Sequence, residues 1–205
     1  MKKHLKLIII CAVILVGLLL IFIPKVNVAK IIGTDKMKTK VSKVEIDYVY
    51  NTDDPYEVTN YHKYVFVGRV ESYKKTKYSS VFNISSGKTV YSVKVLENIK
   101  GELDTKGEII LEKSGGLIRW SDTFLVYKHD VLPAVGGTYL FVASVYDGEL
   151  KCTSPGTVVK LESDTNYSDD EMYKKYVEAC KNPKEYDYNW IREDEISRYD
   201  VNYKK

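Results

Sequence analysis

The chain has 205 residues, with 31 Lys and Arg against 28 Asp and Glu, and three cysteines. That length suggests one domain plus attachments. Residues 1–23 hold three of the basic residues and none of the acidic ones, so the body beyond them is formally neutral. A neutral body lacks the basic footprint of a nucleic-acid binder, and no nucleic-acid partner is expected.

The first element is an apolar run. Lys2, Lys3 and Lys6 precede residues 7–23, which carry no charge. A run of this length sits at the lower end of what crosses ~30 Å of hydrocarbon as a helix. Two readings compete, a retained single-pass anchor and a signal peptide cleaved near Ala29. The anchor is preferred, because Asn27 at the −3 position suits cleavage poorly and the run exceeds most signal cores. Either way the body is expected to lie outside the cytoplasm, with residues 1–24 as anchor or signal. Cys11 falls inside the apolar run and reads as a membrane-buried side chain.

Residues 25–42 read as a basic linker, rich in Lys and Thr and without a lasting period. The string "KVEIDYVY" (43–50) alternates and predicts a strand. Asp54-Pro55 then opens a short helix over residues 55–62, with Pro at its first position. "YVFVGRVESYKKTKY" (64–78) predicts a strand, and Gly68 within it marks a bulge or tight bend. Residues 79–88 form a polar loop. Tyr91, Val93 and Val95 share one strand face, and Ile109 and Leu111 repeat the pattern before Gly115-Gly116. Residues 117–137 have no clean period and read as a long loop with a short strand or helical turn. "TYLFVASVYDGELKC" (138–152) is a hairpin about Asp147-Gly148, a favoured two-residue turn. A short strand over residues 157–161 follows.

Ser168 with Glu171 predicts a capping box opening an amphipathic helix, with Met172, Tyr173, Tyr176, Val177 and Cys180 on its inner face. Residues 188–199 suggest a second helix in an acidic tail. The hairpin strand carries Leu140 and Val142 on its second face, and the C-terminal helix is the expected cover. The whole reads as a mainly β fold, a small five- to six-stranded barrel over residues 43–164, packed by the C-terminal α-helix of residues 165–205. A transmembrane helix precedes it.

"YVFVGRVES", "YSVKVLENIKGE", "GG" and "VGGTYLFVAS" with its "DG" turn occur in a familiar order. Together they resemble the OB-like barrel of the netrin-module and tissue-inhibitor-of-metalloproteinases type. The same pattern recurs in exported Gram-positive proteins of uncharacterised function. The resemblance covers about residues 60–160 and implies an OB-like barrel. The inhibitors' metal-chelating N-terminal cysteine has no counterpart here, so that mechanism does not carry over.

Signs of catalysis are sparse. His129-Asp130 is the one adjacent His–acid pair, and it is the alternative centre for an envelope metalloprotein. A metal site needs three or four ligands, and no second cluster of His or Cys accompanies it. No cofactor or metal is expected, and no catalytic residue is assigned. Cys152 and Cys180 lie in the body, and if it is exported the two are expected to pair as a disulfide; the alternative is two buried thiols. Tyr73, Tyr78, Trp120 and Tyr127 are the candidate ligand-binding side chains, suited to stacking on a glycan or peptide across a barrel face. The functional expectation is a membrane-anchored extracytoplasmic binding module, not an enzyme. Its partner would be an envelope protein or cell-wall glycan. A secreted inhibitor-like protein is the alternative.

Overall fold

The computed structural model describes residues 25–26, 39–78, 87–184 and 195–203. The predicted span (7–23), the Ala29 cleavage point and most of the 79–88 loop lie outside the described residues. Among the described residues no helix is long and apolar enough to cross a membrane.

The fold is mainly β, with few helices. Among the described residues ten strands run in chain order, as β1 (Lys25–Val26), β2 (Thr39–Val44), β3 (Tyr64–Lys77), β4 (Lys88–Lys100), β5 (Glu108–Ser114), β6 (Gly116–Leu117), β7 (Thr123–Tyr127), β8 (Thr138–Tyr146), β9 (Glu149–Cys152) and β10 (Val158–Lys160). Helix α1 (Pro55–Asn60) precedes β3, and α2 (Glu171–Lys181) follows β10. The larger sheet has the order β10-β8-β3-β4-β5-β9, and β8 pairs with β9 as well. Walking β3-β4-β5-β9-β8 therefore returns to β3, so this sheet curls partly into a ring. The pairings are antiparallel except β5–β9, which is parallel.

The period-two strands explain where the core sits. Tyr64, Phe66, Tyr91, Val93, Ile109, Leu111, Phe141 and Ala143 point inward and are buried together. Gly68 faces this interior, where an added Cβ would lie 2.6 Å from Val93 Cγ1. The β3–β4 register slips between Val67 and Gly68, so the expected bend is a bulge there. Asp147 (φ 56°) and Gly148 (φ 70°) make the tight turn between β8 and β9.

The outward faces of β3 and β8 are apolar too. Val65, Val67, Leu140 and Val142 are fully buried in a second cluster with Val58 of α1 and Tyr176 of α2. The C-terminal helix does cover Leu140 and Val142. Its inner face is rotated from the predicted one. Tyr176 and Ala179 are buried, while Met172 is exposed. The N-cap is Asp170 rather than Ser168, because residues 167–169 make a separate 3-10 turn. Asp170 Oδ1 accepts from Met172 N–H at 2.8 Å, and its Oδ2 accepts from Glu162 N–H at 2.8 Å. Burial pushes its pKa up, but these backbone donors outweigh that and hold it below the ordinary value.

Three expectations are corrected and one is filled in. The predicted strand over residues 43–50 lies instead at Thr39–Val44, inside the expected linker, and residues 45–48 have no regular structure. Pairing decided this. β2 runs parallel to β7 from Lys40↔Thr123 to Val44↔Tyr127. Within the expected long loop 117–137 the foreseen short strand is β7, which joins β6 in a second sheet of order β1-β2-β7-β6. Of the predicted tail helix (188–199), residues 188–194 lie outside the described residues, while residues 195–203 are not helical. They make turns and a bridge, Leu103↔Asp200, against the barrel. The Tyr64 hydroxyl explains why: it donates to Asp200 Oδ2 at 2.6 Å and accepts from Ser197 N–H at 3.1 Å. Finally, Cys152 and Cys180 are free thiols, not a disulfide. Cys152 belongs to the main core, whereas Cys180 packs on the second cluster, so the sheet separates them.

His62, just after α1, is 4% exposed. Its Nδ1–H donates to Val58 O at 2.7 Å. Burial, opposed by that bond and reinforced by Lys100 and Lys113, lowers its pKa from 6.5 to about 4. The native state thus binds fewer protons than the unfolded chain across this window. Stability is complete above pH 6.5 and should fall by roughly 3 kcal/mol as pH drops toward 4. Denaturant midpoints measured against pH should show this loss, and His62→Gln should remove it. Asp170 also loses its contribution in acid, but equally in both proteins, so the difference profile isolates His62. Separately, Tyr176 is 2% exposed and its hydroxyl donates to Gly156 O at 2.7 Å. Tyr176→Ala should cost about 3–5 kcal/mol in equilibrium unfolding.

Candidate functional site

β6 and β7 form a hairpin whose tip leaves the barrel. Ile118 N–H donates to Thr123 O at 2.8 Å, and Ser121 N–H donates to Ile118 O at 3.1 Å. Ser121 Oγ in turn accepts from Thr123 N–H at 3.0 Å. These bonds leave Arg119 and Trp120 as the central residues of the turn. Trp120 sits at φ 59°, in the left-handed region where glycine or asparagine is ordinary. It is also 80% exposed. A large aromatic side chain is therefore held out in water on a strained backbone. Such a conformation costs on the order of 1–2 kcal/mol and persists only where the surroundings enforce it.

Arg119 fills the space behind it. Its guanidinium carbon lies 4.3 Å from the centre of the Tyr78 ring and 5.7 Å from the Trp120 ring. Stacking of this kind stabilises a cation without neutralising it. Arg119 Nε is buried and has no hydrogen-bond acceptor among the described residues. The tip thus presents an aromatic–cation–aromatic stack with an unsatisfied donor inside it. Burial raises the Tyr78 pKa, so its ring stays neutral at physiological pH.

The four predicted site residues separate on folding. Tyr78 and Trp120 meet around Arg119. Tyr73 lies nearby but turns inward: its hydroxyl bonds to Thr76 Oγ1 at 2.9 Å, and its ring meets Tyr91 edge-on at 6.4 Å. It packs, partly buried, against the main core. Tyr127 does not join them. It lies four residues beyond Thr123, about 13 Å along β7, opposite Val44 and near Tyr48. Arg119 was missed by the sequence reading. Its signal was the Arg-Trp pair beside Ser121-Asp122 in a polar turn.

A second polar group lies inside the fold. Lys113 of β5 forms an ion pair with Asp130, with side chains 0% and 1% exposed. Lys113 Nζ also approaches Ser154 O at 3.4 Å, and Val131 N–H donates to Asp130 Oδ1 at 2.8 Å. Burial raises the Asp130 pKa, and Lys113 opposes that rise. The adjacent His129–Asp130 unit is therefore not a working pair. Asp130 turns in to Lys113, while His129 is exposed on a turn at φ 63°. No three His, Cys, Asp or Glu side chains converge on a metal position among the described residues. Burial pushes the Cys152 thiol up to about 12 and the Cys180 thiol up to about 11, so neither is a ready nucleophile.

Lys113 had a legible signal, since it falls in phase with the inward Ile109 and Leu111. Its partner had none. No protein-family model matches the chain, and no curated protein matches it in sequence.

Two tests follow from this geometry. Trp120→Gly relieves the left-handed strain and removes an exposed side chain, so it should stabilise the fold by about 1 kcal/mol in equilibrium unfolding. Asp130→Ala leaves a buried, unpaired ammonium and should cost about 3–5 kcal/mol, whereas Lys113→Met with Asp130→Leu should recover most of that loss.

Proposed function

We propose that this protein is a membrane-anchored, extracytoplasmic binding module on an OB-like barrel, with no catalytic step of its own. The strand pairing supports the OB-like reading. Numbering β3, β4, β5, β8 and β9 as five successive barrel strands gives the ring order 1-2-3-5-4-1, closed by a parallel pair. That arrangement suits a five-stranded Greek-key barrel, whose loops and open face serve as binding surfaces. The lysine-flanked apolar run at residues 7–23 supports the anchor, with the body beyond it facing the envelope.

One observation carries the binding role: an 80% exposed Trp120 in a strained turn, backed by Arg119 and Tyr78. An exposed aromatic with a charged neighbour gives area and orientation for contact, and Trp and Arg are the residues that most often dominate interface energies. Strained backbone positions cluster at functional sites, and this one displays the indole. The contact face is the hairpin tip, and its partner is a component of the cell envelope.

A photo-reactive phenylalanine analogue in place of Trp120 tests this in intact cells. Illumination should yield adducts with an envelope component, and the same group in place of exposed Lys106 should yield none. Equal labelling from both positions, or none from position 120, rejects the tip as the contact face.

A further inference from the structure

We propose that the Tyr78–Arg119–Trp120 tip docks on the anionic lipid headgroups of the membrane that residues 7–23 enter. This rests on the membrane-anchored reading above and names the partner of its contact face.

The second sheet supplies the geometry. β1 begins at Lys25, two residues past the end of the apolar run, a distance the backbone covers in at most about 7 Å. Lys25 pairs with Lys40, and Lys40 pairs with Thr123. Lys40 N–H also donates to Asp122 O at 3.1 Å, two residues from Trp120. The chain's exit from the anchor and the hairpin tip thus lie two strand spacings apart, each about 4.8 Å. A folded body cannot enter hydrocarbon. The surface beside Lys25 must therefore lie against the headgroup layer, and the tip belongs to that surface.

The chemistry of the tip suits that layer. Tryptophan partitions to the membrane–water interface, where its ring is apolar and its N–H is wet. The Arg119 guanidinium, stacked on the Tyr78 ring and so not neutralised by it, is a cation that attracts anionic phosphate. Among the described side chains here, Lys40 and Arg119 are basic and Asp122 is acidic. Asp122 Oδ1 is engaged locally by the Thr123 hydroxyl at 3.4 Å.

The test uses the full chain in lipid nanodiscs. The sequence holds two tryptophans, so Trp190→Phe leaves Trp120 as the single emitter. Discs contain phosphatidylglycerol or phosphatidylcholine, each with a trace of headgroup nitroxide lipid. In phosphatidylglycerol the emission should shift to the blue and be quenched by the nitroxide. Arg119→Ala should weaken that contact about fivefold, the effect of one basic residue at an anionic surface. The difference between the wild-type chain and Trp120→Phe should report the same quenching, independently of the Trp190 change. Water-like, unquenched emission from an integrated chain overturns the docking proposal and leaves the anchor intact. Equal quenching in both lipids overturns the headgroup selectivity. A chain that fails to integrate into either disc overturns the anchor and the docking together.

Discussion

The structure depends on two strands that are apolar on both faces. Along β3, Tyr64 and Phe66 point one way while Val65 and Val67 point the other, and all four are fully buried. β8 repeats this with Phe141 and Ala143 against Leu140 and Val142. A half-buried strand needs one cover, and these need two. Curling the sheet through β9 hides the first set, and packing α1 and α2 on the outside hides the second. The C-terminal helix is thus half of the core, not an appendage to a finished barrel.

Polar groups then fix how the remaining segments attach. The Tyr64 ring belongs to the main core, but its hydroxyl reaches the end of the barrel and holds Ser197 and Asp200 there. The strap continues through Asp104 N–H to Tyr199 O at 2.8 Å and Val201 N–H to Glu102 O at 2.9 Å. Lys113 and Asp130 do the same work inside, tying β5 to the chain just after β7. A buried ion pair of this kind is weak evidence of added stability. It ties the 128–131 segment to β5, because moving Asp130 away would leave the buried Lys113 ammonium without its carboxylate. The second sheet is consequently locked to the barrel, and the tip that extends from it points in a defined direction.

That tip is where local rules are broken. The strands obey their period, the turn at Asp147-Gly148 has the residues its angles require, and both helices carry aspartate caps. Among the described residues Trp120, His129 and Asp147 share a left-handed backbone, and Trp120 carries the largest side chain of the three, 80% exposed. Local rules and global fold usually agree, and exceptions concentrate at functional positions. The binding role and the lipid-facing orientation both grow from this exception and from the β1–β2–β7 pairing beside it.

Much of this was written in local patterns. Period two marked β3, β4, β5 and β8, Pro55 and Asp54 marked α1, and the double apolarity of β8 announced a helical cover. Such features depend on neighbours in the chain, so residue order specifies them. Other features required distant partners. β2 lies at Thr39–Val44 because β7 hydrogen-bonds it there, not because its own residues alternate. Cys152 and Cys180 remain apart because a sheet stands between two faces that look equally buried from either position. Arg119 acquires its role from Tyr78, more than forty positions earlier in the chain, and Tyr127 loses its place because β7 carries it away. Pairing across the sheet and the side a residue faces are properties of the closed ring, and no window of the chain contains them.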